Sequence, residues 1–284
     1  MLLGDLGILT VAFLWGATNV VMRDALSDIT PFWFCALRFS LAYATVMLFF
    51  GKRAFALPRK LKVSATLTGM VFIGAYLTGA VALLYTTAGN QSFIISMSVV
   101  FVPLAVWAGT RKFPGWHIVL SVLLCTAGMA GLMLDESFTV NVGDALCFAS
   151  MLFVTAYILL VQKFVQGVDP YALVCWQALG GMLLSLVFAL LFEPFPQGLS
   201  RTAWIAVVYA ATIGFAFTLV LQNVAQKYTT ATHAAILLST SSLFGSGLGI
   251  VFLGEPMTAR IFIASALILA GVLAAEAVPA MRKR

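Results

Sequence analysis

The chain has 284 residues, of which 62% are hydrophobic and only 9% charged, against roughly 45–50% and 25% in a soluble domain. Its 23 Phe and 6 Trp would cover a wetted surface with apolar patches well beyond the few hundred Å² that soluble monomers carry. A water-soluble globule is excluded, and since a membrane-crossing helix takes about 20 apolar residues, the length admits a helical bundle with short connections and no soluble catalytic domain.

In chain order, apolar runs bounded by charge, Pro or Gly fall at about 4–22, 31–50, 64–86, 90–110, 116–134, 142–162, 170–192, 202–222, 231–253 and 259–277. They predict an all-α integral membrane protein of ten transmembrane helices. The first run lacks a basic n-region and an A-x-A-like site, so it reads as a retained helix and not a signal peptide. The tightest joint, Thr87 to Asn90, rests on Gly89 and the polar Asn90-Gln91-Ser92. Pro103 predicts a kink in helix 4. In helix 9, Ser239-Thr240-Ser241-Ser242 with Gly245, Gly247 and Gly249 predicts a bend or a close backbone approach. Gly128 and Gly131 in helix 5, and Ala270-Gly271 to Ala275 in helix 10, read as close-packing faces, either within each half or in a dimer.

Cys35, Cys125, Cys147 and Cys175 all lie in apolar runs, outside any CxxC or His-rich cluster, so neither a disulfide framework nor a zinc site is indicated. There is no GxxxxGK[ST] and no HExxH, and Phe244-Gly245-Ser246-Gly247 lacks the first Gly of G-x-S-x-G. ATP-driven transport by this chain is excluded, no intramembrane enzyme is indicated, and no cofactor or metal is implied.

The net charge of +6 is explained by where the cations sit. Twelve Lys and Arg (Lys52, Arg53, Arg59, Lys60, Lys62, Arg111, Lys112, Lys163, Lys227, Arg282, Lys283, Arg284) fall in connections on one side, against Arg23, Arg201 and Arg260 on the other. The positive-inside rule then places both termini in the cytoplasm, and no nucleic-acid partner is needed to account for the charge.

An internal repeat carries the most information. Tyr85-Thr86-Thr87-Ala88 recurs as Tyr228-Thr229-Thr230-Ala231, an offset of 143. At that offset Phe72 matches Phe215, Ala82 matches Ala225, Ser96 matches Ser239, Ile118 matches Ile261 and Gly128 matches Gly271. Gly4-Asp5 matches Gly143-Asp144 and Pro31 matches Pro170 at an offset of 139. The halves are 1–138 and 139–284, each with five helices. An odd count makes the second enter the membrane from the opposite side, so the repeats are inverted, as in secondary transporters that expose a central site to each side in turn.

Two such repeats, Trp15-Gly16 with Asn19 in helix 1, the Pro31 to Arg38 segment, and Gly254-Glu255-Pro256 before the last helix together resemble the drug/metabolite transporter superfamily, in its bacterial ten-helix EamA branch. The resemblance covers the whole chain. It departs from strict symmetry where Lys112 stands at the counterpart of Glu255 and Gln177 near that of Arg38. It implies a multi-pass protein of the bacterial inner membrane, monomeric or homodimeric, exporting small molecules. Amino acids are the first expectation, with drugs, nucleotide-type metabolites, or a non-transporting sensor or assembly role as alternatives. It also implies a cavity lined by helices 1, 3, 4, 6, 8 and 9, opened by helices 2 and 7 and braced by helices 5 and 10.

An ionised Arg at depth costs at least about 2.5 to 3.5 kcal/mol, and Arg38 lies seven residues inside helix 2, about 10 Å at 1.5 Å per residue. It reads as a gate or anion anchor, or as a structural partner of helix-end carbonyls, with polar atoms of helix 1 or 3 as the expected partners. Trp15 and Asn19 share a face with Asp5, and Thr155 lies on the matching face of helix 6 with Asp144. These polar groups are either pocket lining or interhelical glue, and the two Asp residues read as first-turn caps. Tyr76, Gln91, Trp176, Gln177, Gln222, His233 and Ser239 complete the candidate lining, as aromatic walls with convergent amides and hydroxyls. No carboxylate occupies a helix midpoint, which argues against a buried Asp/Glu proton relay and leaves His233 as the proton-carrier candidate.

Overall fold

In hydrocarbon every backbone N–H and C=O must be paired within the protein, so the apolar runs become helices. A computed structural model describes residues 2–22, 29–82, 84–86, 91, 94–133, 142–253 and 258–281. Among them stand α1 (Leu2–Met22), α2 (Pro31–Ala56), α3 (Arg59–Ala82), α4 (Ser98–Thr110), α5 (Trp116–Met133), α6 (Val142–Val165) and α7 (Pro170–Phe192). There follow α8 (Arg201–Gln226), α9 in two arms (Ala231–Leu238 and Ser241–Leu253), and α10 (Ala259–Met281). The joint at Thr87 to Asn90 and the Gly254-Glu255-Pro256 motif lie outside the described residues.

Three helices depart from the apolar limits, each for a physical reason. Helices α2 and α3 run into the basic connection because its cations lay their stems on aromatic faces, with Arg53 5.0 Å from the Tyr171 ring and Lys62 5.3 Å from that of Trp176. Helix α8 continues four residues past its predicted end, because Gln222, Asn223 and Gln226 are buried inside the bundle instead of facing water. Helix α9 breaks at Ser239 and Thr240, whose hydroxyls turn back onto the Ile236 and Leu237 carbonyls at 2.6 Å each, the competition with the helical ladder that makes such residues bend helices.

The helices are interleaved. Helix α1 packs on α8 and both arms of α9, α6 on α3 and α4, α2 along α7, and α5 along α10. Adding five to each label turns α1 on α9 into α6 on α4, and α1 on α8 into α6 on α3, so the second half repeats the first. Positions 143 apart meet on the pseudo-two-fold axis. Phe72 stacks on Phe215 with centroids 5.7 Å apart, and the Cys125 thiol faces the Ile268 carbonyl at 3.8 Å. Off the axis the devices come in pairs. Trp33 Nε1 donates to the Glu193 carbonyl (3.4 Å), and Trp176 Nε1 donates to that of Ala54 (3.0 Å). The carboxylate of Glu193 also accepts the Phe32 and Trp33 amides at 3.1 and 2.9 Å, at the N-terminus of α2 where the helix dipole favours an anion.

The small-residue faces of α5 and α10 do not pack within each half. A Cβ on Gly128 would meet the Ala264 carbonyl at 2.6 Å, and one on Gly271 the Cys125 sulfur at 2.6 Å, so these faces join the two halves of one chain. Of the α9 glycines, Gly245 lies against Gly16 of α1, whereas a Cβ on Gly247 would meet nothing within 4 Å. The outer surface is apolar, with Leu48 82% and Leu191 71% exposed, as lipid contact requires and water would not permit. Tyr85, Trp116, Trp204 and Tyr228 are exposed at helix ends, where amphipathic rings meet the headgroup region.

Candidate functional site

The site begins with one buried cation. Arg38 is 4% exposed, and its guanidinium carbon sits 5.5 Å from the Tyr76 ring centroid and 5.6 Å from those of Phe39 and Phe215. Three ring faces within about 6 Å supply the attraction that replaces hydration. Its Nη2 faces the Gly214 carbonyl of α8 at 3.5 Å. That carbonyl belongs to a π-helical turn, Thr212–Phe217, where the backbone register loosens as it often does at functional sites, and the Thr218 hydroxyl shares it at 2.9 Å. Among the described residues the partners of Arg38 are therefore a carbonyl of α8 and Tyr76 of α3, one of the two expected helices.

Around the cation the rings form a continuous cluster drawn from α1, α2, α3, α6 and α8. Phe39 meets Phe215 at 4.4 Å, Phe72 meets Tyr157 at 4.3 Å and Tyr76 at 5.2 Å, and Trp15 stacks on Phe72 at 6.3 Å. Arg38 Nε and Trp15 Nε1 are buried without a hydrogen bond to any described residue. Further along α6 and α8, toward the basic face, both amide atoms of Gln222 and the oxygens of Gln162 and Gln226 are in the same condition. Each such group costs about 1–3 kcal/mol when left unpaired.

The predicted residues divide in two. Arg38, Tyr76 and Trp15 converge in the ring cluster, and Gln222 lies further along α8. Gln177 is satisfied, its amide exchanging two hydrogen bonds with Asn223 at 3.1 and 3.0 Å. The others lie elsewhere. Trp176 donates to Ala54 at the end of α2 and lies under Lys62 of α3, Gln91 donates to the Gly79 carbonyl, and Thr155 bonds within α6 to Met151 Sδ at 3.5 Å. Ser239 forms the break in α9. His233 is in the first turn of α9, buried and close to Asp5. Asn19 lies on α1, its side chain outside the described residues. Asp5 and Asp144 stand in the first turns of α1 and α6 as expected, and each also accepts a hydroxyl from outside its helix, Asp5 that of Thr229 and Asp144 that of Thr86 at 2.8 Å.

Phe39, Phe72, Tyr157 and Phe215 were not among the predicted site residues, although the repeat had already paired Phe72 with Phe215. A residue identical in both halves of an inverted repeat is a natural occupant of the axis. Between α2, the start of α7 and α8 lies a separate crevice of about 430 Å³, walled by Thr45, Phe49, Tyr171, Phe217, Val220 and Val224. It is apolar, includes no member of the ring cluster, and is bordered by the exposed rings of Phe49 and Phe217.

A helical membrane bundle of two inverted five-helix repeats, with a buried aromatic and polar centre on their axis, is the architecture of a secondary transporter. The chain belongs to the EamA-like transporter family, whose profile matches residues 2–134 and again 141–275. It is thus a multi-pass membrane transporter of small molecules. It is 30% identical over 272 residues to an uncharacterized transporter of Archaeoglobus fulgidus, covering 96% of this chain and 85% of that one. It is 24% identical over 301 residues to the uncharacterized transporter YwfM of Bacillus subtilis, covering 98% and 95% of the two chains. A protein of known crystal structure shares the fold with a TM-score of 0.82 at 19% identity, over 99% of this chain and 98% of that one.

Proposed function

We propose that the chain is an exporter of small organic metabolites, foremost amino acids with aromatic or neutral side chains, working by alternating access between halves 1–138 and 139–284. Its setting is a bacterial inner membrane, with both termini in the cytoplasm. The observation that carries this reading is Arg38, held in a ring cage with its Nε unpartnered among the described residues and the unpaired Trp15 donor in the same cluster. A guanidinium receives a carboxylate through paired donors, and the rings receive an apolar or aromatic side chain. The unpaired Gln222 oxygen, about two turns further along α8, accepts an ammonium group as the substrate passes and not while its carboxylate is on Arg38. An organic cation without a carboxylate meets repulsion instead, since among the described residues no carboxylate belongs to the ring cluster. With no ATP site, flux follows existing gradients.

The test is counterflow of labelled amino acids into proteoliposomes preloaded with the same compounds, without a proton gradient. Aromatic and neutral amino acids are expected to accumulate, and Arg38→Ala to abolish accumulation while the purified protein keeps its size-exclusion profile. No accumulation across the panel by folded protein overturns the amino-acid reading. Unchanged flux in Arg38→Ala removes Arg38 from the site.

A further inference from the structure

The identical tetrapeptides 85–88 and 228–231 have a use that symmetry makes visible. Thr229, in the turn between α8 and α9, donates its hydroxyl to Asp5 Oδ1 in the first turn of α1. Thr86, after α3, donates to Asp144 Oδ1 in the first turn of α6 at 2.8 Å. The two bonds are images of one another, Thr86 and Thr229 being 143 apart and Asp5 and Asp144 139 apart. Each crosses between the halves, and the two lie at opposite faces, because five helices separate α1 from α6. Asp5, Thr229 and Asp144 are all buried. The basic-face contact is also backbone-tight, since a Cβ on Gly4 would meet the Ala225 carbonyl at 2.8 Å. A hydroxyl on a buried carboxylate is among the stronger neutral-to-charged hydrogen bonds, and both are made in this one conformation.

Resting on the alternating-access reading above, we propose that these bonds are the two latches of the transport cycle, with Asp5, Thr229, Asp144 and Thr86 as positioning residues. Opening toward a face requires breaking the latch at that face while the opposite latch stays made. Because the latches oppose one another, the same chemical change at each shifts the conformational balance in opposite directions.

The experiment is hydrogen–deuterium exchange of the full-length protein in nanodiscs, comparing Thr229→Val and Thr86→Val with the unmodified chain. Thr229→Val removes the hydroxyl at constant volume. It is expected to raise exchange about tenfold or more in the first turn of α1 and the α8–α9 turn, and to lower it at the start of α6 and after α3. Thr86→Val is expected to give the reverse pattern. Thr229→Ser and Thr86→Ser, which keep the hydroxyl, are expected to match the parent chain. In counterflow each Val variant slows exchange, and the double variant is nearer the parent than either single one, because the imbalance is removed. Increases confined to the mutated face, or damage that adds in the double variant, identify ordinary structural hydrogen bonds and overturn the latches. The exchange readout needs no substrate, so an inactive carrier preparation and a failed latch are distinguishable.

Discussion

At the scale of single residues, the informative contrast is between two buried amides one helix apart. Gln177 was legible as the repeat counterpart of Arg38, and the structure shows it satisfied by Asn223. Gln222 is equally buried, and neither of its amide atoms bonds to any described residue. Replacing one member of a satisfied pair strands the other, whereas replacing an unpaired amide by an apolar side chain of similar size removes a penalty. Gln177→Leu is therefore expected to destabilise the protein by about 1–3 kcal/mol, seen as a lower Tm in a detergent melt. Gln222→Leu is expected to leave the Tm unchanged or raise it, while cutting counterflow by about tenfold, the loss of one hydrogen bond to a charged substrate. If Gln222→Leu lowers the Tm and spares flux, the amide is part of the scaffold and not of the path. Sequence could name both glutamines but not separate them, since being satisfied depends on which atoms the neighbouring helix presents.

At the scale of elements, most starts and stops were visible as Pro, Gly and charge, and the misplacements share one cause. Hydropathy marks a helix as ending where polar residues begin, yet the Gln222-Asn223 and Gln226 stretch of α8 turns inward, and the Lys and Arg ends of α2 and α3 lie on rings. The π-helical turn in α8 had no signal in composition, because Thr212–Phe217 is as apolar as its surroundings. Glycine spacing was visible, but its partner was not. The crossing of α3 and α7 is the tightest in the bundle, with a Cβ on Gly180 falling on the Thr66 backbone and one on Gly69 on that of Gln177. Backbone cannot yield as a side chain does, so Gly180→Ala is expected to cost at least the 1–3 kcal/mol or so of an overpacked core. Gly247→Ala, with open space around its Cβ, is expected to keep or slightly raise the Tm, by up to about 1 kcal/mol of helix propensity. Equal melts for the two variants contradict the described crossing.

At the scale of the whole molecule, the repeat was legible as a sequence unit, but its packing was not. Each half contains five consecutive helices, yet α1 makes its main contacts with α8 and α9, and α5 with α10, so the first half encloses little core of its own. Offsets in a sequence report that two segments share a fold; they do not report that the segments are threaded through one another. Interleaving is also what a rocking carrier needs, since a motion of one half must be felt at both faces, and the paired contacts of Asp5 with Thr229 and Asp144 with Thr86 sit where that motion has its largest lever arm. The consequence is testable by division. Residues 1–138 expressed alone leave the α1 face that meets Ala225 and the α5 face that meets Ala264 without partners, and are expected to be degraded or to aggregate in detergent. Co-expressed with 139–284, the same fragment is expected to co-purify in a one-to-one complex and to restore counterflow. A fragment 1–138 that stays monodisperse and melts cooperatively by itself contradicts the interleaved core, because it shows that the contacts with the second half are not what holds the first together.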